Sequence, residues 1–217
     1  FFRHGAERTA FGTIVGAGSN SGVLHFTPGA RRVGEGEHVL IDAGAEIGRY
    51  ASDVTRAYQA GTPGGFFREL YEVVLKGQVR GIGRCRAGVE WREVHLAVAR
   101  DLAEGLVALG ILRGSPDSLV EQDAHALFFP HGLGHLVGLG VRDASGYLPG
   151  RKRSTRFGLA FLRCDFPLQP NYVITVEPGL YFIPALLQDP ERRSRYRDAV
   201  NWAKVDTLLG FGGIRIE

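Results

Sequence analysis

The sequence has 217 residues, of which 44% are hydrophobic and 23% charged, and this composition predicts one folded domain with a substantial core. Lys and Arg outnumber Asp and Glu by only 26 to 23, and no basic stripe indicates a nucleic-acid partner. No apolar run is long enough to span a bilayer, so we expect no membrane contact and a soluble, cytoplasmic protein. Cys85 and Cys164 lack the spacing of a disulfide framework or a structural zinc site.

The first third of the chain predicts two pairs of strands. Residues 11–26, "FGTIVGAGSNSGVLHF", consist of two short apolar runs around a Gly/Ser/Asn turn, which is typical of a hairpin. Residues 38–45 and 53–59 predict a second pair of strands.

Helices are predicted in the middle of the chain. Thr62 and Pro63 form an N-cap and first-turn pair for a helix that ends near Gly88. Its apolar face is predicted to contain Phe67, Leu70, Val74 and Val79. A second helix covers residues 90–109 and is closed by Gly110, and a third begins at Ser115 and Pro116. The apolar residues of the second helix recur every three or four positions and predict one buried face, formed by Trp91, Val94, Val98, Leu102, Leu106 and Leu109.

Beyond residue 127 the sequence changes to short β-like runs that contain Gly or Pro and a polar residue. Strands, then helices, then strands predict an α+β fold in which one curved antiparallel sheet carries helices on its outer face. We see no linker, so residues 1–217 are expected to form a single domain.

Acids and histidines interrupt these β-like runs. They are Asp42, Asp53, His131, His135, Glu177 and Glu217. A buried carboxylate is unfavourable by several kcal/mol unless a positive charge faces it, and these runs contain few Lys or Arg residues. A pair of divalent metal ions would supply that charge, and oxygen ligands with one imidazole suit manganese, cobalt or zinc.

Each of these residues alone has an ordinary structural explanation. Asp42 could cap a turn, Asp53 could pair with Arg56, and a single buried histidine is more often a satisfied core residue than a ligand. The joint occurrence in several β-like runs favours the metal site over an unrelated α+β domain with polar core residues. His4, His38, His95 and His125 are expected at surface or helix positions, without a chemical role.

Four segments strongly resemble the creatinase/prolidase/aminopeptidase superfamily of pita-bread metallopeptidases, and within it the Xaa-Pro dipeptidases (prolidases). The segments are "LIDAGAEIGRYASDVTRAY", "FFPHGLGHLVGLGVRD", "VITVEPGLYF" and "FGGIRIE". The resemblance covers essentially the whole chain. It implies the pita-bread fold with pseudo-twofold halves, hydrolysis of the imide bond in Xaa-Pro dipeptides, a homodimer, and two divalent ions, with Mn²⁺ favoured and Co²⁺ or Zn²⁺ possible.

The resemblance also implies roles for individual residues. The implied metal ligands are Asp42, Asp53, His135, Glu177 and Glu217. His25, His131, Glu177 and Arg142 are the implied catalytic residues, with Glu177 shuttling a proton and His131 and Arg142 stabilising the developing oxyanion. Arg163 would bind the free carboxylate of the dipeptide. Arg215 would contact either the substrate or the metal ligands.

The sequence departs from the prolidase pattern at two positions near the site. Arg142 stands where relatives usually have a histidine, and Arg cannot exchange a proton at neutral pH. Phe11 stands where relatives commonly have a tyrosine. Neither change touches an implied ligand, so we expect an active but distinctive enzyme.

Several alternatives stay open. They are an Xaa-Pro aminopeptidase, an organophosphate-hydrolysing relative, and a pita-bread binding module that has lost catalysis. We also expect the chain to be incomplete at both ends, because family members carry an N-terminal domain and a helix pair ahead of the position of Phe1, and a short strand after the last ligand.

Overall fold

The computed structural model describes residues 1–144 and 146–217 as an α+β arrangement of short antiparallel sheets with helices packed against them, which confirms the predicted fold class. In the described ranges the strands are β1 (Arg8–Thr9), β2 (Ile14–Ala17), β3 (His38–Ala43), β4 (Ala45–Ile47), β5 (Tyr50–Ala51), β6 (Val54–Gln59), β7 (Gly179–Tyr181) and β8 (Gly213–Arg215). The α-helices are α1 (Gly65–Arg84), α2 (Trp91–Ala108), α3 (Pro116–Glu121), α4 (Pro184–Leu187), α5 (Pro190–Arg195) and α6 (Trp202–Asp206).

The strand order divides the predicted curved sheet into pieces. The orders are β1-β4-β5, β2-β3-β6 and β7-β8, and all pairs are antiparallel. The predicted pairing of residues 38–45 with residues 53–59 is confirmed, since Asp42 lies opposite Thr55 on β3 and β6. The small β4–β5 hairpin is inserted between these two strands.

The predicted hairpin over residues 11–26 is wrong. β2 pairs with β3 instead, and a 3₁₀ helix over Gly18–Gly22 follows it. The Ser21 hydroxyl explains the difference, because it donates to the Gly18 carbonyl at 2.6 Å and accepts from the Gly213 amide at 2.8 Å. A residue far along the chain therefore forms a hydrogen bond with this segment. The turn residues of the segment itself could not predict that contact.

The first predicted helix is displaced at both ends. α1 begins at Gly65, three residues after the predicted N-cap Thr62. The Gly64 amide, which a helix capped by Thr62 would bond to that residue, donates instead to the side chain of Gln59. It ends at Arg84 because residues 88–89 leave the helical path to pair with Leu168. Val79, predicted on the apolar face, is 58% exposed.

Helices α1 and α2 pack closely and form much of the core. α2 buries Trp91, Val94, Val98, Leu102 and Leu106, which confirms its predicted apolar face. The start and end of α2 lie within one residue of the prediction, and Gly110 follows it with a φ of 66°.

Three histidines expected at surface or helix positions are buried. His38 lies on β3 and stacks on Phe211 with ring centroids 4.4 Å apart. His95 lies on α2, and His125 lies in the 3₁₀ helix Ala124–Leu127. Burial of an imidazole favours its neutral form, so the pKa of His95 and that of His125 are each lowered to about 4.

Two extended segments in the second half of the chain meet without forming a long ladder. The amides of Val137, Thr175 and Glu177 donate to the carbonyls of Val173, His135 and Leu133, respectively. This pairing places His135 beside Glu177. Among the described residues, no helix combines the length and apolar character that a membrane span requires.

Candidate metal centre

Strands β3 and β6 bring Asp42 and Asp53 to one place. Asp42 is on β3 and Asp53 directly precedes β6, and both side chains are about a tenth exposed or less. Asp42 Oδ2 accepts from Arg215 Nη2 at 2.5 Å. Burial raises the pKa of Asp42; the Arg215 charge opposes this effect and the neighbouring Asp53 adds to it.

His135 faces two carboxylates. Its Nε2 lies 3.4 Å from Asp53 Oδ2 and 3.5 Å from Glu177 Oε1. Its Nδ1 lies 3.0 Å from the Leu136 carbonyl, which only accepts, so the Nδ1–H donates there. Burial lowers the pKa of His135, but the bond with Asp53 and the charge of Glu177 outweigh burial and the net shift is upward. Because Nδ1 donates to the Leu136 carbonyl, Nε2 is the atom of the neutral ring that would bind a metal ion.

Glu177 and Glu217 complete the acidic cluster. Burial raises the pKa of both, and for Glu217 the charges of Glu177 and Asp53 contribute to a value of about 9. The Thr55 hydroxyl donates to Glu217 Oε2 at 2.8 Å, and the Thr175 hydroxyl donates to Glu177 Oε1 at 3.1 Å.

These residues fit divalent cations. Ligand atoms of Asp53, His135 and Glu217 lie within 4.8 Å of one another. Among the described side chains, three buried carboxylate oxygens in this cluster lack a hydrogen-bond partner: Asp42 Oδ1, Asp53 Oδ1 and Glu217 Oε1. Buried acceptors without partners are unfavourable, and the raised carboxyl pKa values show that burial, together with the neighbouring carboxylates, disfavours the ionised forms. Divalent metal ions would bind the oxygens that lack partners and would stabilise the ionised carboxylates.

Arg215 links this cluster to His131 through Tyr181. Arg215 is 4% exposed; its Nη1 donates to the Tyr181 hydroxyl at 3.2 Å and its Nε donates to Thr55 Oγ1 at 3.1 Å. Burial raises the pKa of Tyr181 to about 12, so the hydroxyl keeps its proton and can donate to His131 Nε2, 3.0 Å away.

His131 is held as a neutral ring. Its Nδ1 lies 2.8 Å from the Gly132 carbonyl, so the proton is on Nδ1 and Nε2 accepts. Burial, followed by the charge of Arg215, lowers the pKa of His131 to about 3. This ring therefore stays uncharged at neutral pH.

A cavity of about 450 Å³ opens onto the cluster. Its wall includes all five predicted ligands and the other predicted site residues, His25, His131, Arg142, Arg163 and Arg215. Arg142 Nη2 donates to His25 Nε2 at 3.2 Å. Phe11 lines a smaller cavity of about 410 Å³ whose wall also includes Asp42 and Asp53.

The structure thus places every predicted site residue on the wall of one cavity. It adds Thr55, Thr175 and Tyr181, whose hydroxyls hold the ligands or His131. All three lie inside the quoted segments "LIDAGAEIGRYASDVTRAY" and "VITVEPGLYF". The one signal for them in the sequence was therefore their position a few residues from an implied metal ligand.

Residues 1–217 match the sequence model of metallopeptidase family M24, and the chain belongs to that family. It is 42% identical to an Xaa-Pro dipeptidase from Shewanella woodyi over 98% of the chain and 49% of the relative. It is 39% identical to human Xaa-Pro dipeptidase, covering 100% of the chain and 45% of the relative. The chain spans about half the length of the curated relatives it matches.

Several solved structures similar to this chain are aminopeptidase P structures. An aspartate-to-alanine variant of Escherichia coli aminopeptidase P superposes with a TM-score of 0.78 at 37% identity, covering 100% of this chain and 42% of that one. Proline aminopeptidase P II from Yersinia pestis superposes with a TM-score of 0.77 at 36% identity, and the match covers 43% of the Yersinia pestis chain. The pita-bread fold and the family assignment are therefore confirmed.

Proposed function

We propose that residues 1–217 form the catalytic domain of an Xaa-Pro dipeptidase that works with two divalent metal ions. The observation that carries this proposal is the convergence of Asp42, Asp53, His135, Glu177 and Glu217, from distant segments, on one cavity. The names of the relatives from Shewanella woodyi and human support the substrate class.

The five converging residues would hold the ions, Mn²⁺ in preference to Co²⁺ or Zn²⁺, since carboxylate oxygens dominate the ligand set. Bound divalent ions lower the pKa of water to near neutrality and polarise a carbonyl group. Thr55, Thr175 and Arg215 would hold the carboxylate ligands in orientation through the hydrogen bonds described above.

The chain's own side chains would handle the proton and the substrate. Glu177 would take a proton from the attacking water and deliver it to the proline nitrogen as the C–N bond breaks. His131 would contact the scissile amide, with its ring orientation fixed by Gly132 and Tyr181.

Arg163 would select the dipeptide by binding its terminal carboxylate, since it lines the cavity at an exposed position. The alternative is an Xaa-Pro aminopeptidase acting on longer peptides, which the likeness to aminopeptidase P structures favours. The homodimer remains a prediction from the resemblance, and the cytoplasmic location remains a prediction from the composition of the sequence.

Metal analysis combined with kinetics on Leu-Pro, Leu-Pro-amide and Leu-Pro-Gly tests this proposal. We expect two ions per chain and preferential cleavage of Leu-Pro. Preferential cleavage of Leu-Pro-Gly would identify the aminopeptidase alternative. Absence of cleavage of all three by the Mn²⁺-loaded protein would refute both.

A further inference from the structure

The wall of the large cavity carries both acidic and basic side chains. Asp42, Asp53, Glu177 and Glu217 are its acidic residues, and the exposed side chains of Arg142 and Arg163 line it together with His25. A dipeptide carries an ammonium group and a carboxylate at its two ends. The carboxylate end therefore belongs near the arginines.

His25 lies under the influence of both arginines. Burial lowers its pKa, and the charges of Arg142, Arg215 and Arg163 lower it further. Because Arg142 donates to His25 Nε2, this nitrogen is an acceptor and the ring is neutral. The positive charge facing this part of the cavity therefore comes from guanidinium groups.

Neither Arg142 nor Arg163 forms an ion pair with a carboxylate of the described chain, whereas buried Arg215 is paired with Asp42. Arg142 uses Nη2 on His25, which fixes its side chain and leaves its other N–H groups for a ligand. A fixed, planar guanidinium is suited to binding a carboxylate with two parallel hydrogen bonds.

We infer that Arg142 and Arg163 together clamp the terminal carboxylate of the substrate, so that Arg142 is a specificity residue of this chain rather than a stabiliser of the oxyanion. This inference rests on the proposed dipeptidase function and makes its preference for a free carboxylate depend on two cations instead of one. His25 acts as the positioning residue for Arg142.

The test compares Leu-Pro with Leu-Pro-amide in the metal-loaded wild-type protein and in Arg142→Gln, Arg142→Lys, Arg163→Gln and the double variant. A charged hydrogen bond contributes enough for Arg142→Gln to reduce the ratio of kcat/KM values, acid over amide, by about 10-fold or more. Arg142→Lys restores part of the ratio because it keeps the charge but loses the planar fork. Arg113→Gln, an exposed arginine outside this cavity, is the matched control and leaves the ratio unchanged.

A parallel pair, Glu-Pro against Gln-Pro, checks whether Arg142 instead reads an acidic side chain on the first residue. The inference is overturned if Arg142→Gln leaves the acid-to-amide ratio within about twofold, the scatter expected of a surface substitution. It is also overturned if that variant changes the Glu-Pro to Gln-Pro ratio instead.

Binding of L-proline and L-prolinamide, measured by calorimetry, separates this inference from the proposed function. If the wild-type protein cleaves none of the peptides, the function fails. The clamp still stands if L-proline binds at least about 10-fold more tightly than L-prolinamide and Arg142→Gln removes that difference. Equal affinities for the two ligands would refute the clamp directly.

Discussion

Thr55 offers the sharpest test of how the ligands are held. Its side chain is fully buried, donates to Glu217 Oε2 at 2.8 Å and accepts from Arg215 Nε at 3.1 Å. Thr55→Val keeps the shape of the residue and removes the hydroxyl. The substitution leaves a carboxylate and a guanidinium each without one hydrogen bond, and each such bond is worth about 1.5–3 kcal/mol.

The loss of the Thr55 hydroxyl should appear first in metal affinity. The hydrogen bond from Thr55 lowers the pKa of Glu217, so its removal makes this carboxyl group harder to ionise. We expect Mn²⁺ affinity to fall by about 10- to 100-fold, the range seen for residues that orient metal ligands. Competition with a chelator of known affinity measures this change at fixed pH.

Two further variants make the Thr55 experiment decisive. Thr55→Ser keeps the hydroxyl and should retain affinity close to that of the unmodified protein. Thr207→Val removes a hydroxyl that donates to the Lys204 carbonyl on the surface, and it should leave metal binding unchanged. A folded Thr55→Val protein with wild-type Mn²⁺ affinity would refute the proposed orientation of Glu217.

Three other predictions follow from the geometry. Burial and neighbouring carboxylates raise the pKa of Glu217 to about 9, so metal binding at pH 7 should release a proton. Calorimetry in buffers of different ionisation enthalpy detects this release. A binding enthalpy that does not depend on the buffer would contradict Glu217 as a ligand. Since burial lowers the pKa of His95 and of His125 to about 4, below the unfolded value of 6.5, each contributes stability above pH 6.5 that is lost as the pH falls toward 4, by up to about 3 kcal/mol per residue. His125→Asn should therefore flatten acid unfolding curves between these pH values, and an unchanged pH dependence would argue against burial as the cause. Gly81→Ala should destabilise the fold by about 1–3 kcal/mol, because the added Cβ would lie 2.9 Å from Val176 and 3.0 Å from Val98. Gly83→Ala, on the same helix, places its Cβ in open space and should stabilise the fold. Equal melting temperatures for the two variants would refute this packing.

Long periodic elements were predictable because their signals are local. The apolar face of α2 follows directly from its spacing, and β3 with β6 follows from apolar runs around two acids. The hairpin at residues 11–26 failed because Ser21 bonds with Gly213, almost two hundred residues away. Tertiary partners of this kind leave no trace in a short window of sequence.

The residues of the candidate metal centre could be proposed from the sequence for a different reason. Acids inside apolar runs conflict with burial, and this conflict identified Asp42 and Asp53 as residues needing an external positive charge. The hydroxyls of Thr55 and Tyr181 carry no such conflict, because neutral polar residues occur in strands for many reasons. Their contacts to Glu217 and His131 became visible only in the structure.

Anomalous diffraction at the manganese edge, from crystals of the Mn²⁺-loaded protein, tests the central claim most directly. We expect two neighbouring peaks surrounded by Asp42, Asp53, His135, Glu177 and Glu217. A single peak, no peak, or peaks bound by other residues would contradict the dimetal centre on which the proposed hydrolysis depends.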